Sequence, residues 1–257
     1  MMSNCEKWFG LKGKNVLITG AAGQLGTALV QGFRDTGANV FGFDLNEPSN
    51  LTPFVKFATG DITKKECVTK SYEALFTNDE QVHILVNNAG VSTPANFLER
   101  TQEDFYRVTD VNVMGAMFFA QEFVRRHAEK SIDNPAIVNI ASIYGVVGPD
   151  MRIYTDYNVA TPEVYGMSKA ALLQMTRYLA SVYANAGLRV NAVSPGGIYN
   201  RNNPQGKGFV EEYSRRIPLA RMAEVEEIVA AVLFLAGPGG SYITGQNIMV
   251  DGGLTVW

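Results

Sequence analysis

Between Asn15 and Asp44 the chain sets four features in an order that few folds can satisfy. A short apolar run, Asn15 to Thr19, meets a turn with glycines at 20, 23 and 26. An amphipathic segment follows and stops near Gly37, and a second apolar run, Ala38 to Phe43, ends on Asp44. Strands repeat every two residues and helices every 3.6, so this reads as strand, turn, helix and strand, with Gly37 as the C-terminal cap. Two strands joined through a helix in about thirty residues lie parallel, and the crossover is right-handed. Parallel strands are covered on both faces, so the rest of the chain has to supply further strands and helices.

It does. Phe54 to Ala58 reads as a strand, Lys64 to Phe76 as a helix, and Val82 to Val86 as a central strand running into Asn87-Asn88-Ala89-Gly90. Thr101, with Asp104 three residues on, resembles a capping box that opens one long helix through Val111 and Phe119 to about Arg126. Ala136 to Ile140 is a strand ending near Ser142, and Leu188 to Val193 another before Pro195-Gly196-Gly197. Residues 199 to 210 look like a loop, Glu211 to Arg216 and Val225 to Leu235 like helices, and Asn247 to Val250 like a last strand. The expectation is one α/β domain over residues 1–257: a doubly wound Rossmann fold around a mostly parallel sheet of about seven strands.

Composition narrows the function. A net charge of -3 with scattered basic residues gives no stripe for nucleic acid, and no apolar run reaches the roughly 18 residues of a membrane span. Met1 to Gly13 lacks the charged-then-apolar order of a leader, so cytoplasmic residence is expected. Cys5 and Cys67 form no metal-spaced cluster and there are only two histidines, which favours metal-free chemistry on a small molecule.

One pair of residues suggests what that chemistry is. Tyr165 and Lys169 stand four apart at the start of a helical segment, so both side chains share one face. A cation beside a phenol favours the phenolate and is expected to lower the tyrosine pKa toward neutrality, as a general acid/base requires. Chance alone would give such a pair about 0.4 times in a chain of this composition, so its meaning depends on context. The glycine turn supplies part of that context, because backbone N–H groups at a helix start can face a pyrophosphate. Asp44, at the end of the second strand, is where a carboxylate would accept bonds from ribose hydroxyls and repel a 2′-phosphate. Ala21, Ala22 and Leu45 offer no compensating cation, so NAD is expected over NADP.

Together, Thr19-Gly20-x-x-Gly23-x-x-Gly26, Asp61-Ile62, Asn87-Asn88-Ala89-Gly90, Asn112, Ser142, Tyr165-x-x-x-Lys169, Pro195-Gly196 and the stretch Gly245 to Gly253 resemble the short-chain dehydrogenases/reductases, in order and rough spacing, from Lys14 to the end. The resemblance implies that Tyr165 exchanges a proton with the substrate oxygen, that Lys169 tunes it and binds the nicotinamide ribose, and that Ser142 holds the same oxygen. It implies that Asn112 supports a water chain toward the lysine. Cofactor contacts would come from Gly20, Gly23, Gln24, Leu25 and Gly26, from Asp44, Asp61, Ile62, Asn88, Ala89 and Gly90, and from Tyr165, Lys169, Pro195, Gly196 and Ile198. It also implies a homo-oligomer, a tetramer or dimer, built from the late helices and the C-terminal strand, with the apolar tail Leu254 to Trp257 compatible.

Three departures stand out. The family's common glycine position is held by Gln24, with Gly23 just before it. Ser142 and Tyr165 are further apart than usual, which makes 146 to 162 an insertion beside the site. Asn200 replaces a threonine after the proline-glycine turn, and its amide could still bond the carboxamide. Arg152, Tyr154, Asp156, Tyr157, Asn200, Arg201, Asn202 and Asn203 suggest a polar rim suited to a sugar or polyol, or else simply solvated loops. A 3-oxoacyl thioester reductase is the alternative enzyme, and an NAD-binding sensor or structural subunit the alternative class.

Overall fold

The computed structural model describes residues 8–77, 80–129, 132–154 and 160–256. Cys5, Asp156, Tyr157, Asn158 and Trp257 lie outside them.

Strands β1 (Asn15–Thr19), β2 (Asn39–Asp44), β3 (Lys56–Thr59), β4 (Ile84–Asn87), β5 (Ala136–Ile140), β6 (Arg189–Pro195) and β7 (Asn247–Val250) form one parallel sheet in the order β3-β2-β1-β4-β5-β6-β7. The order reverses between β1 and β4, which opens a crevice beyond their carboxyl ends. The expected Rossmann architecture is therefore present. Strands β4, β5 and β6 are buried at every position because both of their faces are covered.

Strand alternation sorts the core into two layers. Val16 and Ile18 of β1 face α1 (Gln24–Asp35) and α7 (Val225–Ala236), where Leu29, Phe33, Ile228, Val232 and Leu235 close the first layer. Leu17, between them in sequence, faces α2 (Lys65–Leu75) and α4 (Ala116–Glu129), packing with Val68, Tyr72, Phe119 and Phe123. Each aliphatic or Phe side chain so buried contributes about 1.5–3 kcal/mol.

Several boundaries differ from the sequence reading. The strand expected from Val82 starts at Ile84; beside its start the His83 imidazole accepts the Asn15 N–H at 3.1 Å. The long helix from Thr101 is three pieces: α3 (Gln102–Thr109), a π-helical turn (Asp110–Gly115) and α4. Thr101 caps α3 by accepting the Asp104 N–H, but its hydroxyl also donates to the Asp104 carboxylate, so only half of a capping box forms. Helix α6 (Lys207–Arg215) starts four residues before the expected Glu211, inside the segment read as a loop. The Tyr165 helix is α5 (Glu163–Tyr183).

Candidate active site

Two hollows open side by side beyond the strand ends. The first, about 630 Å³, is lined by Gly20, Gly23, Gln24, Leu25, Gly26, Asp44, Asp61, Ile62, Asn88, Ala89 and Gly90 among others. The second, about 520 Å³, is lined by Ser142, Tyr165, Lys169, Pro195, Gly196 and Ile198. Leu25, Asn88, Gly90 and Val91 border both, so they form one continuous cleft.

The first hollow is built by locking two loops together. Asn88 donates through its amide to Thr19 O at 3.0 Å and Gly20 O at 2.9 Å, while the Thr19 hydroxyl accepts the N–H groups of Asn88 and Ala89 at 3.1 Å each. Gly20 sits at φ +64°, and a Cβ there would stand 2.8 Å from Ala89 Cα; a Cβ on Gly26 would stand 2.0 Å from Gly20 O. Gly23 is different, since a Cβ would only touch Gly20 O at 3.4 Å. Nothing inside the protein demands glycine there, and its bare backbone faces the cleft at the N-cap of α1. An open backbone beside the unpaired N–H groups of a twelve-residue helix fits a pyrophosphate. Asp44 Oδ2 accepts the Ala22 N–H at 2.9 Å, which fixes the carboxylate at the rim of the same hollow. Asp61 Oδ1 accepts from Thr63 N and Oγ1 at 2.9 and 2.7 Å, holding the bend before α2.

The second hollow holds the titratable groups. Ser142, buried at the end of β5, accepts the Tyr144 N–H at 3.2 Å and lines the same hollow as the Tyr165 phenol. Lys169 is buried, donates to Ile140 O at 2.8 Å and lies 5.6 Å from the centroid of the Tyr165 ring. The shared helix face thus brings the pair together. The expected lowering of the tyrosine pKa does not follow. Burial pushes the phenol up and the nearby Ser142 hydroxyl offsets only part, while burial brings the Lys169 amine down to about 8. The ammonium is committed to a carbonyl and faces the ring, so it does little for the phenolate.

Asn112, buried in the π-helical turn, accepts the Val91 N–H at 2.8 Å and donates to Val91 O at 3.0 Å and Ser168 Oγ at 2.9 Å. It joins the loop after β4 to the helix that carries Tyr165. A Cβ on Gly90 would lie 3.3 Å from Lys169 Nζ and 3.4 Å from Asn112 Oδ1, so the amide is a close neighbour of the amine. Arg100, bonded to Glu163 at 2.9 Å and to Thr93 O at 2.8 Å, pins the first turn of α5.

The polar rim is not where the sequence suggested. Among the described residues of that group, Tyr154 lines the cavity. Arg152 forks onto Asp150 at 2.9 Å, Arg201 pairs with Glu224 at 2.9 Å, and Asn200 Oδ1 accepts the N–H groups of Asn202 and Asn203 at 3.1 Å. Short polar side chains in loops satisfy the nearest backbone or charge first. Asn200 is thereby bound up in its own turn. Ile198 O is likewise taken by Gln205 Nε2 at 2.8 Å.

In place of the rim, the wall consists of Tyr144, Thr161, Gln205, Phe209, Tyr213 and Met222, none of which the sequence reading picked out. Phe209 and Tyr213 are an i,i+4 aromatic pair, a helical signal that lay hidden in the run of Asn, Gly and Pro just before it.

A parallel doubly wound sheet, a glycine turn with a strand-end carboxylate, and Ser, Tyr and Lys gathered in the adjoining hollow define an oxidoreductase built for a dinucleotide. The chain belongs to the short-chain dehydrogenases/reductases and acts on CH–OH groups. Residues 20–255 match the family model described as enoyl-(acyl carrier protein) reductase. The chain is 33% identical to 3-oxoacyl-[acyl-carrier-protein] reductase of Thermotoga maritima, covering 96% of this chain and 99% of that protein. It is 34% identical to glucose 1-dehydrogenase of Gluconobacter oxydans, over 95% and 93% of the two. A longer relative, an uncharacterised short-chain type dehydrogenase/reductase of Sinorhizobium fredii, is 35% identical, and the chain spans 43% of its length. The crystal structure of a short chain dehydrogenase from Leptospira borgpetersenii with bound NAD+ superposes with a TM-score of 0.90 at 37% identity, over 100% of this chain and 97% of that one.

Proposed function

We propose that the protein is an NAD(H)-dependent enzyme that interconverts a secondary alcohol and a ketone, with Tyr165 as the acid/base. The observation that carries this reading is the gathering of Ser142, Tyr165 and Lys169 in one hollow, with the Lys169 amine 5.6 Å from the centre of the Tyr165 ring, continuous with the glycine-lined cleft. NAD, held by the glycine turn, Asp44 and the Asn88 loop, supplies a two-electron hydride acceptor or donor. The chain's own part concerns oxygen and proton. Ser142 can donate to a ketone oxygen or accept from an alcohol, so it serves both states. In oxidation the substrate hydroxyl gives its proton to the Tyr165 oxygen as the carbinol C–H bond breaks; in reduction the phenol returns it to the carbonyl oxygen. A phenol kept protonated by burial is ready to donate. Asn112 acts by holding Val91 and Ser168, and so the geometry around both groups.

Asp44 supports NAD over NADP, since a 2′-phosphate would meet its carboxylate. A sugar or polyol substrate has support from the Gluconobacter glucose 1-dehydrogenase, and a 3-oxoacyl thioester from the Thermotoga reductase. The aromatic wall favours the former. Exposed apolar side chains on α5 support a homo-oligomer. The test of the central claim is Tyr165→Phe. It should bind NADH as the wild type does and lose about 10²- to 10⁴-fold in turnover; unchanged turnover would leave only a dinucleotide-binding protein.

A further inference from the structure

Beyond Ser142 the cavity has a face that the proton and hydride chemistry does not use. The Tyr144 and Tyr154 hydroxyls lie 3.0 Å apart, and the Tyr154 hydroxyl lies 2.7 Å from Thr161 Oγ1. All three residues line the hollow that holds Tyr165. Tyr144 is two positions past Ser142, and its N–H is bonded to the Ser142 hydroxyl, so the residue that starts the chain of hydroxyls is tied by its backbone to Ser142.

Three hydroxyls carry three protons, and the two internal bonds use two of them. One donor and several lone pairs remain for a ligand, and the protons can run along the chain in either direction. Burial and the neighbouring Tyr154 push the Tyr144 phenol far above the ordinary tyrosine range, so Tyr144 stays neutral. It is therefore suited to a hydroxyl or carbonyl oxygen on the ligand.

The same face is aromatic. The Phe209 ring stands 5.7 Å from Tyr154 and stacks on Tyr213 at 5.6 Å. Tyr213 is held in place because its hydroxyl accepts the Gly197 N–H at 2.5 Å, and it packs with Ile153, Ile217 and Met222. The wall is thus fixed before any ligand arrives, and ring faces of this kind take the C–H face of a flat or puckered ring.

We propose that this wall and its hydroxyl chain form a substrate subsite for a ring compound that carries a second oxygen substituent near the reacting one. Tyr144, Tyr154 and Thr161 read the second oxygen; Tyr154, Phe209 and Tyr213 take the ring. The assignment rests on the alcohol–ketone reading of Tyr165 and names the substrate class for that same site. A hollow of about 520 Å³ has room for a single ring of this size.

The probes are cis-1,2-cyclohexanediol and cyclohexanol, which differ by the second oxygen. Their binding to NADH-saturated protein is measured by calorimetry, and their oxidation with NAD by steady-state kinetics. The diol should bind about tenfold more tightly and be favoured about tenfold in kcat/KM. Tyr154→Phe keeps the ring and removes the middle hydroxyl, and Thr161→Val removes the end of the chain; each should cut the diol-to-cyclohexanol ratio about fivefold. Equal binding of the two by the wild type overturns the subsite, as does a ratio that neither variant changes. A preserved binding ratio with no oxidation of either alcohol supports the subsite and sinks the catalytic reading; oxidation of both without preference does the reverse.

Discussion

Lys169 shows how burial works at a single residue. Its pKa falls from 10.5 to about 8 because the amine is desolvated, so the folded chain holds this proton more weakly than the unfolded chain does. Between about pH 8 and 10.5 the unfolded state therefore binds more protons, and stability rises with pH; below that window the cost is present in full. Lys169→Met removes the effect. The urea midpoint of the wild type should gain on that of the variant as pH rises through the window, and a constant gap would reject the assignment. Asp44 makes a different point, because its carboxylate both fixes the turn through Ala22 and lines the glycine hollow. Asp44→Ala should narrow the preference for NAD over NADP by about tenfold, read as the ratio of kcat/KM values. A wild type that prefers NADPH would overturn the cofactor reading.

Elements explain the departure at Gln24. Its amide donates to Tyr199 O at 3.0 Å, tying the start of α1 to the chain after β6 across the mouth of the cleft. A glycine in this place could not make that link. Gln24→Gly should raise the KM for NAD about two- to tenfold, the worth of one hydrogen bond of about 0.5–1.5 kcal/mol, with a smaller change in kcat. An unchanged KM would mean that the bridge is idle. The alternation of strands and helices was legible in the sequence because short, mostly apolar strands alternate with amphipathic helical segments, and β5 and β7 fall where expected. The π-helical turn was not, because Asp110–Gly115 keeps the apolar spacing of its neighbours. Asn112 anchors it through Val91 and Ser168, which lie far off in sequence. Ser142, Tyr165 and Lys169 were legible from spacing and order; the hydroxyl chain was not, since Tyr144, Tyr154 and Thr161 have no periodic relation and meet only after α5 and α6 have packed.

Across the whole molecule, the outer face of α5 leaves Met167, Tyr178 and Val182 exposed at 55%, 61% and 49%. Apolar side chains this open, on a helix whose other face carries Tyr165, suit contact with a second copy of the chain. The wild type should sediment as a dimer or tetramer, and Tyr178→Asp should shift it to a smaller species; a monomeric wild type would overturn the proposal. The cross-bonded loops of Thr19 and Asn88 bear on the thermodynamics of binding. Because the glycine turn and the loop after β4 hold each other through four hydrogen bonds, their backbone entropy is lost when the chain folds, not when a ligand arrives. The glycine-lined end of the cleft is thus a rigid mould in which binding carries little penalty for ordering.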